Sequence, residues 1–302
     1  MAGAPQENWL VFIDTNILLD FYRLGGESAR RQLAALDRHK GSIITSEQIR
    51  MEFLKNRQKV ILESASQLKK PSKMSVPPIL ADYQPARMMA RHLDSGISKY
   101  NEVRQKIDNI LSDPTHHDPV YGTLNKLFDH SGPVNLKRPN KTRFEVRNLA
   151  RKRFALGYPP RKSGDTSFGD AVNWEWVIKC AQTASGNPHI LIVSRDGDYG
   201  SAFGDKVILN DWLRREFKQR VSRKRKIELT TRLTTALKRL DEQVTPEDEQ
   251  EEDRLIASVS VSVTSRPERR EQIMSAEDIQ KLLDQLGLRA RPASEEGGAG
   301  GD

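Results

Sequence analysis

The chain has 302 residues, 36% apolar and 30% charged: enough for one large domain with appendages, but core-poor for that length, so part of it is expected to stay unpacked. Its formal net charge of +8 is uneven, since residues 1–240 carry 42 Lys and Arg against 25 Asp and Glu, while residues 241–302 carry 7 against 16. No apolar run spans a bilayer, no basic-then-apolar leader opens the chain, and the single Cys180 excludes a disulfide or cysteine metal cluster; these features predict a cytoplasmic protein with no membrane contact and a polyanionic partner, nucleic acid first.

Trp9 to Ile13 is a short apolar run of strand formers, the pattern of a strand buried on both faces of a parallel sheet. Asp14 follows at once. Chemistry in open α/β sheets collects at the carboxyl ends of the strands, which suits Asp14 to a metal or ligand. The commoner role for an Asp or Thr at such a point is to cap the next helix, here Ile17 to Leu24. Ser28 to Arg38 reads as a surface helix, Ser42 to Thr45 as a second strand, and Ser46 as the cap of a helix from Glu47 to about Lys59. Glu52 lies one to two turns into that helix, from where it can point back over the strand ends.

Residues 64 to about 150 interrupt the pattern. Lys69 to Pro78 reads as a loop, Pro85 to Leu111 as a long amphipathic helix, and Asp118-Pro119 as the start of a shorter one. Lys137 to Lys162 is markedly basic. Its charge, above all Arg147, Arg151, Lys152, Arg153, Arg161 and Lys162, is assigned to a phosphodiester backbone, while the interleaved Phe144 and Phe154 are expected to pack inward.

Pro159 to Asp165 is a loop by its Pro and Gly content, and Gly169-Asp170 begins a helix with Trp174, Val177 and Ile178 on an apolar face. His189 to Val193 is a second buried strand and runs straight into Ser194-Arg195-Asp196-Gly197-Asp198. A short strand at Lys206–Leu209, a helix from Asp211 to Phe217, and a basic helical extension over 218–240 complete the basic part. Within 241–302, Glu242 to Asp253 reads as an acidic linker and Ala257 to Thr264 as an isolated strand. Ser275 to Leu286 reads as an amphipathic helix suited to docking on a protein partner or folding back, ahead of a flexible Gly-rich end.

Asp14 and Asp196 thus follow buried strands, Asp170 opens a helix, and Glu52 sits in the helix after the second strand. No structural role needs four acids at one edge of a sheet, and their repulsion is costly unless cations neutralise it. Oxygen-only ligands select hard ions, Mg²⁺ or Mn²⁺, which can activate water and stabilise the leaving oxygen of a phosphodiester.

Ile13-Asp14-Thr15-Asn16, Glu52-Phe53, Gly169-Asp170 and Val193-Ser194-Arg195-Asp196, in that order, resemble the signature acids of the PIN-domain family. The resemblance is closest to the bacterial PIN-like subfamily with a long helical insertion, whose Pro-Pro loop, Gly-Asp and Trp are echoed in Pro159-Pro160, Asp165, Gly169-Asp170 and Trp174. It covers about residues 8–217 and implies a three-layer α/β/α sandwich around a central parallel sheet, with the helical insertion over about 64–150. It also implies an RNA-cutting activity with Mg²⁺ or Mn²⁺. Carried over by position, Asp14, Glu52, Asp170 and Asp196 would be catalytic metal ligands, with Asp165 and Asp198 as further candidates. Thr15 and Asn16 would orient Asp14 or contact substrate, and Ser194 would lie at the substrate. The loop departs from the family pattern in reading Arg161-Lys162-Ser163-Gly164-Asp165. Two rivals remain: a phosphatase of the haloacid-dehalogenase type, which would want an Asp where Asn16 stands, and a non-catalytic RNA-binding module on the same fold. The reading adopted is a metal-dependent endoribonuclease on single-stranded RNA.

Overall fold

The computed structural model describes residues 7–73, 75–161, 167–204 and 206–264. The described strands are β1 (Trp9–Ile13), β2 (Ile43–Ser46), β3 (Asn135–Leu136), β4 (His189–Val193), β5 (Gly200–Phe203), β6 (Lys206–Leu209) and β7 (Ile227–Thr230). The helices are α1 (Thr15–Leu19), α2 (Gly26–Arg38), α3 (Glu47–Ala65), α4 (Gln84–Ser112), α5 (Pro114–His117), α6 (Pro119–Asp129), α7 (Thr142–Ala155), α8 (Gly169–Thr183), α9 (Asp211–Arg220), α10 (Leu233–Arg239) and α11 (Pro246–Thr264). Two compact units result, 1–256 and 257–302; among described residues the second contains only the end of α11.

Five strands form one parallel sheet in the order β3-β2-β1-β4-β7, flanked by helices. Every residue of β1 is buried, as are Ile190 to Val193 of β4, because helices cover both faces of the sheet centre. α10 packs against β1, β4 and β7, while α8 packs against β2 and, beyond it, α7. That sandwiching explains why α8 is buried all round: Trp174, Trp176, Val177 and Ile178 are each almost fully enclosed, and Trp176 donates its indole N–H to the Thr45 carbonyl at 2.8 Å. From β1 the chain moves outward to β2 and β3, then returns to place β4 on the other side of β1. The direction of progress reverses there, and the carboxyl ends of β1 and β4 therefore flank the crevice where open α/β sheets bind ligands. β5 and β6 form a separate antiparallel hairpin.

Four local expectations are corrected. The helix after Asp14 is only α1 and breaks into a 3₁₀ turn at Asp20–Tyr22. The extension after Lys218 does not stay helical to Leu240, because Ile227–Thr230 finds an open edge beside β4 and becomes β7. The acidic stretch taken for a linker, and the strand expected at Ala257–Thr264, are both α11. Glu247, Asp248 and Glu249 occupy its first turn, where the helix dipole favours negative charge. Glu252 is buried and accepts hydrogen bonds from the Leu233 and Thr234 backbone N–H groups, capping α10. Asp248 is likewise buried, bonded to Arg31 at 2.8 Å. The amphipathic helix expected at Ser275–Leu286 lies outside the described residues.

Candidate metal centre

Register sets the first part of the site. Ile13 and Val193 are paired, so β1 and β4 end at the same level and the residues that follow meet. Asp14 donates its backbone N–H to the Val193 carbonyl at 2.9 Å, and Ser194 Oγ donates to Asp14 Oδ2 at 2.5 Å. Asp14 also caps α1, its Oδ1 accepting from the Thr15 N–H at 2.6 Å, and Asn16 Nδ2 donates to Oδ2 at 2.9 Å. The capping and the site-facing readings of Asp14 are therefore both realised in one carboxylate.

On the other side of β1, Ser46 ends β2 and caps α3 by accepting from the Ile49 N–H. One to two turns on, Glu52 reaches back over the sheet: Thr15 Oγ1 donates to its Oε2 at 3.1 Å and Gln48 Nε2 to its Oε1 at 2.7 Å. The start of α8 lies against this pair. A Cβ on Gly169 would fall 2.4 Å from Glu52 Oε1 and 2.8 Å from Gln48 Nε2, so glycine at this position lets Glu52 and Gln48 keep their places against the start of α8, beside Asp170.

The third contribution comes from the loop after β4. Ser194 Oγ accepts from the Asp196 N–H at 3.0 Å, and Asp196 Oδ1 from the Asp198 N–H at 3.3 Å, which curls the loop back over the strand end. Asp170, Asp196 and Asp198 each offer a carboxylate oxygen, all within 4.8 Å of one another. Below them lies Tyr199, fully buried against Phe12, its hydroxyl without a hydrogen-bond partner. Its phenol is pushed well above the usual range by burial and then by Asp170, Asp14, Glu52 and Asp196, so one buried oxygen feels all four acids of the expected set.

Electrostatics single out Asp14. Burial, helped by Glu52 and Asp196, pushes its carboxyl from 3.8 up to about 6, against the opposing hydrogen bonds from Ser194 and Thr15. Among the described residues neither Asp14 nor Glu52 has a lysine or arginine within ion-pair distance. Arg195, in the middle of the loop, is instead paired with Asp20. Carboxylate oxygens gathered this closely fit a hard divalent cation.

The structure brings Asp170 and Asp196 together with Asp198, which the resemblance ranked only as a further candidate, and keeps Asp14 and Glu52 within electrostatic reach. Asp165 and Lys162 lie outside the described residues. Three substrate assignments are corrected. Ser194 is buried and spends its hydroxyl on Asp14. Thr15 is buried too, held to Glu52. Arg153 does not face solvent: it is 3% exposed, bonded to Glu175 at 2.8 Å and paired with Glu216, because a guanidinium in the core must be matched by carboxylates. Arg147, Arg151, Lys152 and Arg161 are exposed as expected, with Arg161 stacked 4.5 Å over the Phe154 ring. Phe154 is half-buried, whereas Phe144, expected inside, is 62% exposed. Tyr199 and Gln48 were not foreseen. A tyrosine directly after Asp-Gly-Asp carries no periodic signal, and Gln48 is recognisable only once Glu52 is known to point inward.

A family model described as PIN domain matches residues 11–199, which spans β1 through the acidic loop after β4. No curated protein and no solved structure matches the chain.

Proposed function

The chain belongs to the PIN domain family, and from that premise we propose that it is an endoribonuclease hydrolysing phosphodiester bonds of single-stranded RNA with Mg²⁺ or Mn²⁺. PIN domains are in general metal-dependent nucleases. The observation that carries the reading is the meeting of Asp170, Asp196 and Asp198 within 4.8 Å, at the end of the sheet where strand order reverses. In this reading those three, with Asp14 and Glu52, hold the cation, which would activate a water and stabilise the leaving oxygen. Ser194 and Asn16 fix the orientation of Asp14, Thr15 and Gln48 that of Glu52, and Tyr199 closes the floor against bulk water. Arg147, Arg151, Lys152 and Arg161 supply positive surface for the strand.

Asn16 speaks against phosphatase chemistry, since its amide donates to Asp14 and offers no carboxyl for general-acid catalysis. The test is incubation of labelled single-stranded RNA and DNA with the protein, in Mn²⁺ or EDTA, beside Asp170→Asn. Cleavage of RNA in Mn²⁺, none in EDTA, and a loss of about 100-fold or more in the variant are expected. Cleavage that survives both EDTA and the substitution would refute the reading, as would turnover of a small phosphate ester with RNA left intact.

A further inference from the structure

Beside the acidic centre lies a second, oppositely charged feature. A cavity of about 110 Å³ opens where β2 and β3 end, and Arg138, Arg143 and Arg147 line it together with Glu47, Gln48 and Val172. Gln48 belongs to both places, since it also holds Glu52, and Val172 is two residues from Asp170 on α8. The volume is too small for a nucleoside, given that pockets for ligands of that size run to roughly 300 Å³ and more. It suits a single tetrahedral oxyanion.

The charges in the cavity do not cancel. Arg138 reaches Glu47 only at 3.7 Å, and neither Arg143 nor Arg147 has a carboxylate partner among the described residues. Arg143 further has a buried Nε with no hydrogen-bond partner. Guanidinium groups elsewhere in the core are matched, as Arg57 is by Asp118 and Arg153 by Glu175. Three arginines converging on one hollow with a single distant carboxylate create the geometry and the charge to take up an anion, and Arg's planar fork suits phosphate oxygens. The neighbouring Phe144 is 62% exposed on α7, with the Arg143 guanidinium 5.1 Å from its ring centre. An exposed aromatic face next to an anion pocket is what a splayed, unpaired base needs for stacking.

We propose that Arg138, Arg143 and Arg147 form a subsite for a non-scissile phosphate of a single-stranded nucleic acid, and that Phe144 stacks the base attached to it. The subsite rests on the nuclease reading and adds to it a fixed register of the strand and a physical reason for single-strand preference: a paired base has no free face to offer Phe144.

The test measures binding of a fluorescent single-stranded RNA oligonucleotide across a salt series in EDTA, where cleavage is off, and separately its cleavage in Mn²⁺. Arg143→Ala combined with Arg147→Ala should weaken binding about tenfold or more and flatten the slope of log Kd against log salt by about 0.7, the value for one phosphate contact on a single strand. Arg147→Glu, at an exposed position, repeats the test without disturbing the buried Nε of Arg143. Phe144→Ala should weaken binding about five- to tenfold with the slope unchanged, and should not alter binding of a duplex of the same sequence. Arg223→Ala with Lys224→Ala removes the same charge at a distant exposed site and should leave the slope nearer the wild-type value. Wild-type affinity and slope in Arg147→Glu and in the double arginine variant, with metal-dependent cleavage intact, would overturn the subsite and leave the nuclease reading standing. A wild-type protein that neither binds nor cuts RNA would overturn both.

Discussion

Replacing Asp14 with Asn should stabilise the metal-free protein by an amount that grows from about pH 4 and is complete above about pH 6. Burial first, then Glu52 and Asp196, raise its carboxyl from 3.8 to about 6. Below pH 4 the group is protonated in both the folded and the unfolded chain. Between 4 and 6 the folded protein keeps a proton that the unfolded chain has lost, so stability falls as pH rises, and above 6 the loss is complete. A shift of about two pH units corresponds to about 3 kcal/mol. Asn removes the charge, but its amide would face Asn16 Nδ2, which now donates to Asp14 Oδ2 at 2.9 Å; the Ser194 hydroxyl, which donates to the same oxygen at 2.5 Å, can turn to accept instead. Losing the Asn16 bond costs about 1 kcal/mol. The variant should therefore be about 2 kcal/mol more stable than wild type at pH 8 in EDTA and no more stable at pH 4. Urea unfolding followed by tryptophan fluorescence reads this directly, since Trp9, Trp174 and Trp176 are buried. Added Mn²⁺ should shrink the difference by stabilising the wild type more. A variant less stable than wild type at pH 8, or a difference that stays constant from pH 4 to 8, would show that Asp14 is not a carboxylate strained by its neighbours.

Gly169→Ala should leave the unfolding midpoint nearly unchanged yet reduce cleavage strongly. The new Cβ collides with the ends of Glu52 and Gln48, flexible side chains that can move aside, but only by leaving their positions at the acidic centre. Measured cleavage and thermal unfolding separate the two effects, and wild-type activity would mean that the placement of Glu52 is immaterial. Arg153→Ala should lower stability by about 2 kcal/mol, because Glu175, itself 3% exposed, loses the Arg153 guanidinium at 2.8 Å although it keeps that of Arg220 at 2.7 Å. If Arg153 instead gripped substrate, urea unfolding would be unaffected and RNA binding alone would weaken.

The sheet centre was legible in the residues themselves. Val11-Phe12-Ile13 and Ile190-Leu191-Ile192-Val193 are unbroken apolar runs, and such runs are stable only where both faces of a strand are covered. Asp14 directly follows the first of these strands, Asp196 stands three residues past the second, and Asp170 opens a helix after Gly169, so all three could be named as candidates without coordinates. Phe144 and Arg153 show the converse. They lie on one helix in a single basic stretch, and nothing local distinguishes the arginine that turns inward to Glu175 from those that stay in water.

What the sequence by itself determined is where apolar periodicity begins and ends, and hence which acids stand at strand and helix ends. Only the tertiary structure decided which side chains meet. The Ser194 hydroxyl reaches an Asp14 that lies 180 residues earlier in the chain. Asp198 joins Asp170 and Asp196, and an acidic stretch with few apolar residues becomes α11 because Glu252 finds the bare N–H groups of α10. Burial pattern is a property of neighbouring residues and can be read from them. A carboxylate's partner is chosen by elements folded against it from far along the chain, and it exists only once they have packed.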